Sequence, residues 1–192
     1  YEEFAPSSPA GGLVEFDARE MYAAVRRVSL AALADNTADA VGITNQRAST
    51  IIWRASTGEP IGPAIGWQDL RTVGECIMAK IEHGFAFAPN QTATKASWML
   101  KNYISDAHAR GDDDIRIGTV DSWLVWNLSH GAAHVTDHTN AGVTGLTFAS
   151  ADQWNEKVLA ILEIAPHQLP QIVPSSGFVA NAVDLPGAPP IM

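Results

Sequence analysis

Apolar and polar positions alternate along this chain in blocks that read as helix and strand by turns. Asp17-Ala-Arg-Glu20 has the spacing of a capping box with aspartate as the cap, and Met21, Ala24, Val25, Val28 and Ala32 then recur at helical intervals. That predicts a long first helix. Asp35 to Asp39 leads into Val41 and Ile43, whose β-branched side chains read as a buried strand. Polarity then switches at Asn45, Gln46 and Arg47, so donors are expected at the strand's carboxyl end, where α/β proteins keep their sites. Thr50-Ile-Ile-Trp53, the turn Ser56-Thr57-Gly58 and Pro60 predict a strand, a hairpin and a returning strand. Thr72 is placed to cap a helix bearing Val73, Ile77 and Ile81, and Thr94 one bearing Ser97, Trp98, Leu100 and Lys101.

The second half continues the alternation. Gly111 to Asp114 is a charged turn before the apolar strand Ile115 to Ile117, and Thr119 then caps a helix with Val120, Trp123, Leu124 and Leu128 on one face. Both tryptophans of that helix, Trp123 and Trp126, read as core. Ser129-His-Gly131 turns the chain back through Ala133 and Val135, and Asp152 is expected to open a last helix with Trp154, Val158, Leu159 and Leu162. Pro186, Pro189 and Pro190 predict an extended tail. The class implied is α/β, with helix following strand as crossover units require.

Composition narrows the picture. A chain of 192 residues with 46% hydrophobic content can bury one sizeable core, and no Ser/Pro/Gly tract long enough for a linker divides it. A net charge of −9 argues against non-specific binding to nucleic acid or anionic membranes. Cys76 is the only cysteine, so no internal disulfide is available; its apolar setting fits a buried thiol in a reducing, cytoplasmic compartment. No apolar run approaches the roughly 18 residues of a membrane span, and Glu2, Glu3 and Pro6 are unlike a signal peptide. His134 and His138 lie four apart, but on strand and loop rather than on one helix, which disfavours zinc. No metal ligand set is expected in this chain.

One set of segments carries more. Gly42-Ile-Thr-Asn-Gln-Arg47, the Thr57-Gly58 turn and Trp67-Gln-Asp-Leu-Arg-Thr72 are followed in order by Thr94-Lys95, Gly118-Thr-Val-Asp-Ser-Trp123, His134-Val-Thr-Asp137, Thr139-Asn-Ala141 and Pro174-Ser-Ser176. Together they resemble the amino-terminal domain of the FGGY carbohydrate kinases, within which the glycerol kinase branch is the most similar. The resemblance implies a ribonuclease H-like, actin-type ATPase layered domain over residues 1–192, incomplete, without the first strands and the second domain. It also implies an enzyme that uses ATP and Mg²⁺ to phosphorylate a hydroxyl of a polyol or sugar. No segment matches the family's phosphate loop and its aspartate base is expected beyond Met192, so the resemblance implies no catalytic residue within these 192 residues. Neither nucleotide nor metal is expected to bind it alone. Its partners would be the small alcohol and the remainder of the kinase. Homo-oligomerisation stays open because an incomplete sheet leaves an edge.

By the same resemblance, Arg47 and Gln46 are expected to face substrate hydroxyls, and Trp67 to pack along the carbon backbone of the polyol. Two positions depart from glycerol kinases. Ala48 stands where they have an accepting glutamate, and Asn90 where they have a tyrosine, which points to a bulkier or differently hydroxylated ligand. Asp69 and Arg71 are expected to order the loop as a local ion pair, and Asp137 to brace the segment at Thr139 to Ala141. Two alternatives remain beside this reading: an authentic glycerol kinase with an altered pocket, and a degenerate, non-catalytic sugar-binding or interaction subunit.

Overall fold

The computed structural model describes residues 1–192. A four-stranded antiparallel sheet lies at its centre, with strand order β1-β3-β2-β4: β1 is Glu15–Phe16, β2 Thr50–Arg54, β3 Ala64–Ile65 and β4 Ile115–Thr119. Strands β2 and β4 pair along their whole length, from Thr50 opposite Thr119 to Arg54 opposite Ile115. Ile51, Ile52 and Trp53 are all 0% exposed, so β2 is buried on both faces. A run of three β-branched and aromatic residues without a polar break suits that position.

Each face of the sheet is covered by helices. On one side, Ile52 and Ile117 pack with Ala93, Ala96, Met99 and Leu100 of α3 (Thr92–Tyr103) and with Val158 and Leu159 of α6 (Glu156–Leu162). On the other, Ile51 and Trp53 meet Ala18 and Met21 of α1 (Ala18–Leu33) and Val120 and Trp123 of α4 (Val120–Leu128). Trp53 and Trp123 cross edge to face with centroids 5.3 Å apart, and the Trp123 indole donates to the Ala18 carbonyl at 3.0 Å. Gly118 permits this closeness, because a Cβ there would lie 2.7 Å from that of Ser122. The layers are therefore helix, sheet, helix.

Helix α2 is Val73–His83, strand β5 is Val135–Asp137 and the short helix α5 is His138–Ala141. Beyond them β6 (Gln171–Val173) runs parallel to β5, and β7 (Ala180–Asn181) pairs with β8 (Pro190–Ile191). The tail is thus extended, apart from a short 3-10 turn at Pro166–Gln168. No helix is long and apolar enough to cross a membrane.

Five local expectations need correction. Val41 and Ile43 form no ladder: Val41 makes only a single parallel bridge to Ile191, with its N–H on the Pro190 carbonyl at 2.8 Å. The second strand of the hairpin at Pro60 is likewise one bridge, to Trp53, and the regular pairing waits until β3. Helix α3 starts at Thr92, so Thr94 sits inside its first turn and hydrogen-bonds Thr72 at 2.8 Å instead of capping; Thr72 has no side-chain cap bond either. Val73, Ile77 and Ile81 of α2 face outward, while Cys76 and Ala79 are buried, because small side chains let the helix approach the body closely. Finally, α6 is capped by Asn155, whose side chain accepts from Lys157 and Val158 N–H groups, and not by Asp152. The Asp17 cap on α1 holds, accepting from Arg19 and Glu20 N–H.

Candidate functional site

A cleft of about 340 Å³ opens where the segment after Val41 passes the amino end of α4 and the β5–α5 junction. Thr44, Asn45 and Arg47 form one side, Asp121 the floor, and Asp137, Thr139, Asn140 and Ser175 the other side. The polar switch in the sequence after Ile43 therefore does deliver donors to a cleft, although the run before it is not a regular strand.

Asp121 is the deepest charged group there. It lies in the first turn of α4 and accepts from the Thr119 hydroxyl, from Thr136 Oγ1 at 2.7 Å and from Asn45 Nδ2 at 3.3 Å. Burial pushes its pKa up, and the hydroxyls of Thr119 and Thr136 pull part of the way back. Asp137 behaves in the opposite way. Burial would raise it, but the Ser175 hydroxyl, Asn140 and Thr139 outweigh that effect and hold the carboxyl at about 2. As the cap of α5 it takes the Asn140 N–H at 2.8 Å and the Asn140 amide at 2.9 Å. Asn140 Oδ1 is buried without a partner.

Arg47 is exposed at the rim and makes no ion pair or hydrogen bond within the chain, whereas Asn45, Asp121, Asp137, Thr139, Asn140 and Ser175 are each hydrogen-bonded to a neighbour. Gln46 beside it is exposed. Trp67 is 41% exposed, with its backbone N–H held by Ser49 Oγ at 3.2 Å. Asn90 is exposed as well. Ala48 is 6% exposed and sits at φ +63°, in the left-handed region that residues other than glycine seldom occupy. Gln46, Trp67, Ala48 and Asn90 do not border the cleft that Arg47 lines.

Asp69 and Arg71 lie behind these residues. The guanidinium grips both carboxylate oxygens at 2.8 Å, reaches Glu15 at 2.7 Å and stacks 4.7 Å over the Trp98 ring. Asp69 also accepts from the Val14 N–H at 2.6 Å. Burial would raise the Asp69 pKa, but Arg71 and these N–H groups hold it low. Arg71 is in turn held firmly protonated by Asp69.

Two buried ionic groups escaped the sequence reading of the site. Asp121 is one; Lys95 is the other. Lys95 is 0% exposed, and its Nζ donates to the carbonyls of Ala48 at 3.0 Å, Gly66 at 3.1 Å and Asn90 at 3.3 Å. Burial pushes its pKa down to about 8, against the pull of Asp69. A signal existed: Lys95 stands among Thr92, Ala93, Thr94, Ala96 and Ser97, small residues typical of a helix face pressed against its neighbours, with no acid four residues away on either side.

The cleft's donor set does not fit a nucleotide triphosphate with its metal. Asp121 and Asp137 are already engaged by hydroxyl and amide donors, and Arg47 is the single cation on the lining. His134 and His138 are each spent on a backbone carbonyl, of Ile117 and Ala151. What the arrangement offers is a polar wall of hydrogen-bonded carboxylates, hydroxyls and amides with one free guanidinium, suited to hydroxyl groups.

Fold and site together define an α/β layered domain of the actin-type ATPase class, with a polar cleft. Residues 1–184 match the family model for the FGGY family of carbohydrate kinases, N-terminal domain, and the chain belongs to that family. It is 39% identical over 189 residues to a glycerol kinase of Trichlorobacter lovleyi, covering 91% of this chain and 38% of the relative. To a glycerol kinase of Dechloromonas aromatica it is 40% identical over 195 residues, covering 94% and 39%. Among solved structures it is similar to Plasmodium falciparum glycerol kinase with ADP, at a TM-score of 0.88 and 27% identity, covering 100% of this chain and 42% of the other. The chain thus spans about two fifths of the length of the relatives it matches.

Proposed function

We propose that this chain supplies the substrate-facing part of an ATP- and Mg²⁺-dependent kinase, in a cytoplasmic setting, that phosphorylates a hydroxyl of a polyol or sugar. The observation that carries this reading is Arg47, a planar fork of donors left without a protein partner at the rim of a polar cleft. The free fork would hold substrate hydroxyls, and Trp67, 41% exposed outside the cleft, would offer an apolar face to carbons that reach past the rim. Nucleotide and metal would be held by the remainder of the kinase, since the carboxylates here are already engaged. They would supply the phosphoryl group and neutralise its charge; this chain's task is to bind and orient the alcohol.

The substrate class is a polyol or sugar, and the two departures from the glycerol kinase pattern favour a ligand other than glycerol. Ala48 can accept nothing through its side chain, and Asn90 replaces a phenol with a shorter amide. The test is kcat/KM for glycerol, four-carbon polyols and pentuloses in the full-length kinase carrying this chain. Arg47→Ala should lower kcat/KM for the preferred alcohol about 10- to 150-fold, the equivalent of roughly 1.5–3 kcal/mol for a charge-assisted hydrogen bond. Ala48→Glu with Asn90→Tyr should shift preference toward glycerol. Phosphorylation that is indifferent to Arg47→Ala would contradict the assignment. Ala48 also favours a second reading, a non-catalytic sugar-binding subunit, which retained polyol binding without any phosphoryl transfer would establish.

A further inference from the structure

Lys95 is a fully buried ammonium with no carboxylate on it, and its three N–H donors meet three carbonyls. Burying a charge this way is costly, and a helix packed for stability alone would carry methionine or leucine at such a position. The three carbonyls come from stretches far apart in sequence. Each adjoins or belongs to a residue of the Arg47, Trp67 and Asn90 group: Ala48 follows Arg47, Gly66 precedes Trp67, and Asn90 is itself a member.

Two of these stretches are under constraint. Ala48 holds the left-handed φ of +63°, and its carbonyl accepts from Lys95 and from Thr50 Oγ1 at 3.2 Å. Gly66 is pressed against Val14 so closely that a Cβ would lie 2.7 Å from Val14 Cγ1. A point charge on a flexible stem can satisfy carbonyls arriving from three directions, which an amide or hydroxyl cannot.

We propose that Lys95 is the positioning residue of the substrate wall: one ammonium gathers the Ala48, Gly66 and Asn90 carbonyls and thereby fixes where Arg47, Trp67 and Asn90 present their side chains. The proposal rests on the reading of Arg47 as an alcohol-binding group. It carries a pH signature. Around the ammonium stand Asp69 and Arg71 from the loop before α2, with Glu15 of β1 paired to Arg71, while Cys76 of α2 lies against Thr94, the residue before Lys95. With Lys95 at about 8, alkaline solution leaves two N–H donors for three carbonyls.

Steady-state kinetics of the full-length kinase, parent against Lys95→Met, test this from neutral pH to well above 8. Lys95→Met should raise the KM for the alcohol about 10-fold or more while kcat and the KM for ATP stay within about 2-fold. In the parent, the alcohol KM should climb above pH 8; in Lys95→Met it should be high and flat. A variant that loses kcat and both KM values together, in step with its melting temperature, and a parent without the alkaline rise would overturn the proposal. Should Lys95→Met not fold, the parent's profile decides alone.

A parent inactive toward every alcohol would sink the functional reading instead, and the positioning role is then read by NMR. The amides of Ser49, Trp67 and Gln91, each next to one of the three carbonyls, should titrate with one shared midpoint near 8. Separate midpoints, or none, would overturn it.

Discussion

Two buried ionic groups stand at this site, and they hold their neighbours with opposite chemistry. Lys95 gathers three backbone carbonyls behind Ala48, Trp67 and Asn90; Asp121 gathers the side-chain donors of Thr119, Thr136 and Asn45 beneath Arg47. A carbonyl is fixed by the chain that carries it, whereas a hydroxyl or amide can rotate to another partner, and Asp121 lies on the cleft, where water is such a partner. The cation is therefore the harder of the two to replace, although the carboxylate is the one that borders the cleft.

That contrast can be broken experimentally. Lys95→Ala should cost the most, about 4 kcal/mol, because it opens a cavity, leaves the Asn90 carbonyl unpaired and strips one of two donors from the Gly66 carbonyl; chemical denaturation at neutral pH checks this. Next in size is a pH effect. Because the folded pKa of Lys95, about 8, lies below its ordinary 10.5, the native state sheds this proton first, and the parent should gain about 3 kcal/mol relative to Lys95→Met between those values. Denaturation curves that stay parallel across that window would remove the claim that the ammonium is buried. The proton thus costs stability at neutral pH while it secures the third carbonyl, a trade expected of a group kept for position.

Asp121→Ala should cost less, about 2 kcal/mol, with Thr119, Thr136 and Asn45 re-pairing to each other or to water. If it proves as damaging as Lys95→Ala, the distinction between fixed and rotatable partners fails. The smallest effect belongs to Asp137→Asn, about 1 kcal/mol after allowance for its partial exposure. Asp137 is held low, at about 2 against an ordinary 3.8, so its contribution is complete above 3.8 and is lost as pH falls through 2. The difference between parent and Asp137→Asn should shrink over the same range.

The sequence made some of this visible and hid the rest for identifiable reasons. β2 was legible because Ile51, Ile52 and Trp53 are an apolar run that only a two-sided core can use, and α4 because Val120, Trp123 and Leu124 recur on one helix face. The outward face of α2 was not, since Val73, Ile77 and Ile81 carry a stripe as apolar as any buried one, and the choice fell to the smaller Cys76 and Ala79. Asn155 rather than Asp152 caps α6 because the chain between them is used in a bridge of Trp154 to Thr147. At the site, the end of the Asn45 to Arg47 run was readable from its polarity switch alone. Lys95 was not, because a lysine on a helix ordinarily extends its charge into water, and only the small residues around it hinted otherwise.

Native-state hydrogen exchange in parent and Lys95→Met tests most directly whether one ammonium holds the wall. The Trp67, Asp69 and Gln91 amides are bonded to Ser49, Gly66 and Ala88, inside the three gathered stretches. They should lose protection together, by about 10-fold more than Ile52 and Ile117 in the β2–β4 ladder beside the Asp121 junction. A uniform loss across both groups would contradict the account, because it would make Lys95 one core residue among many.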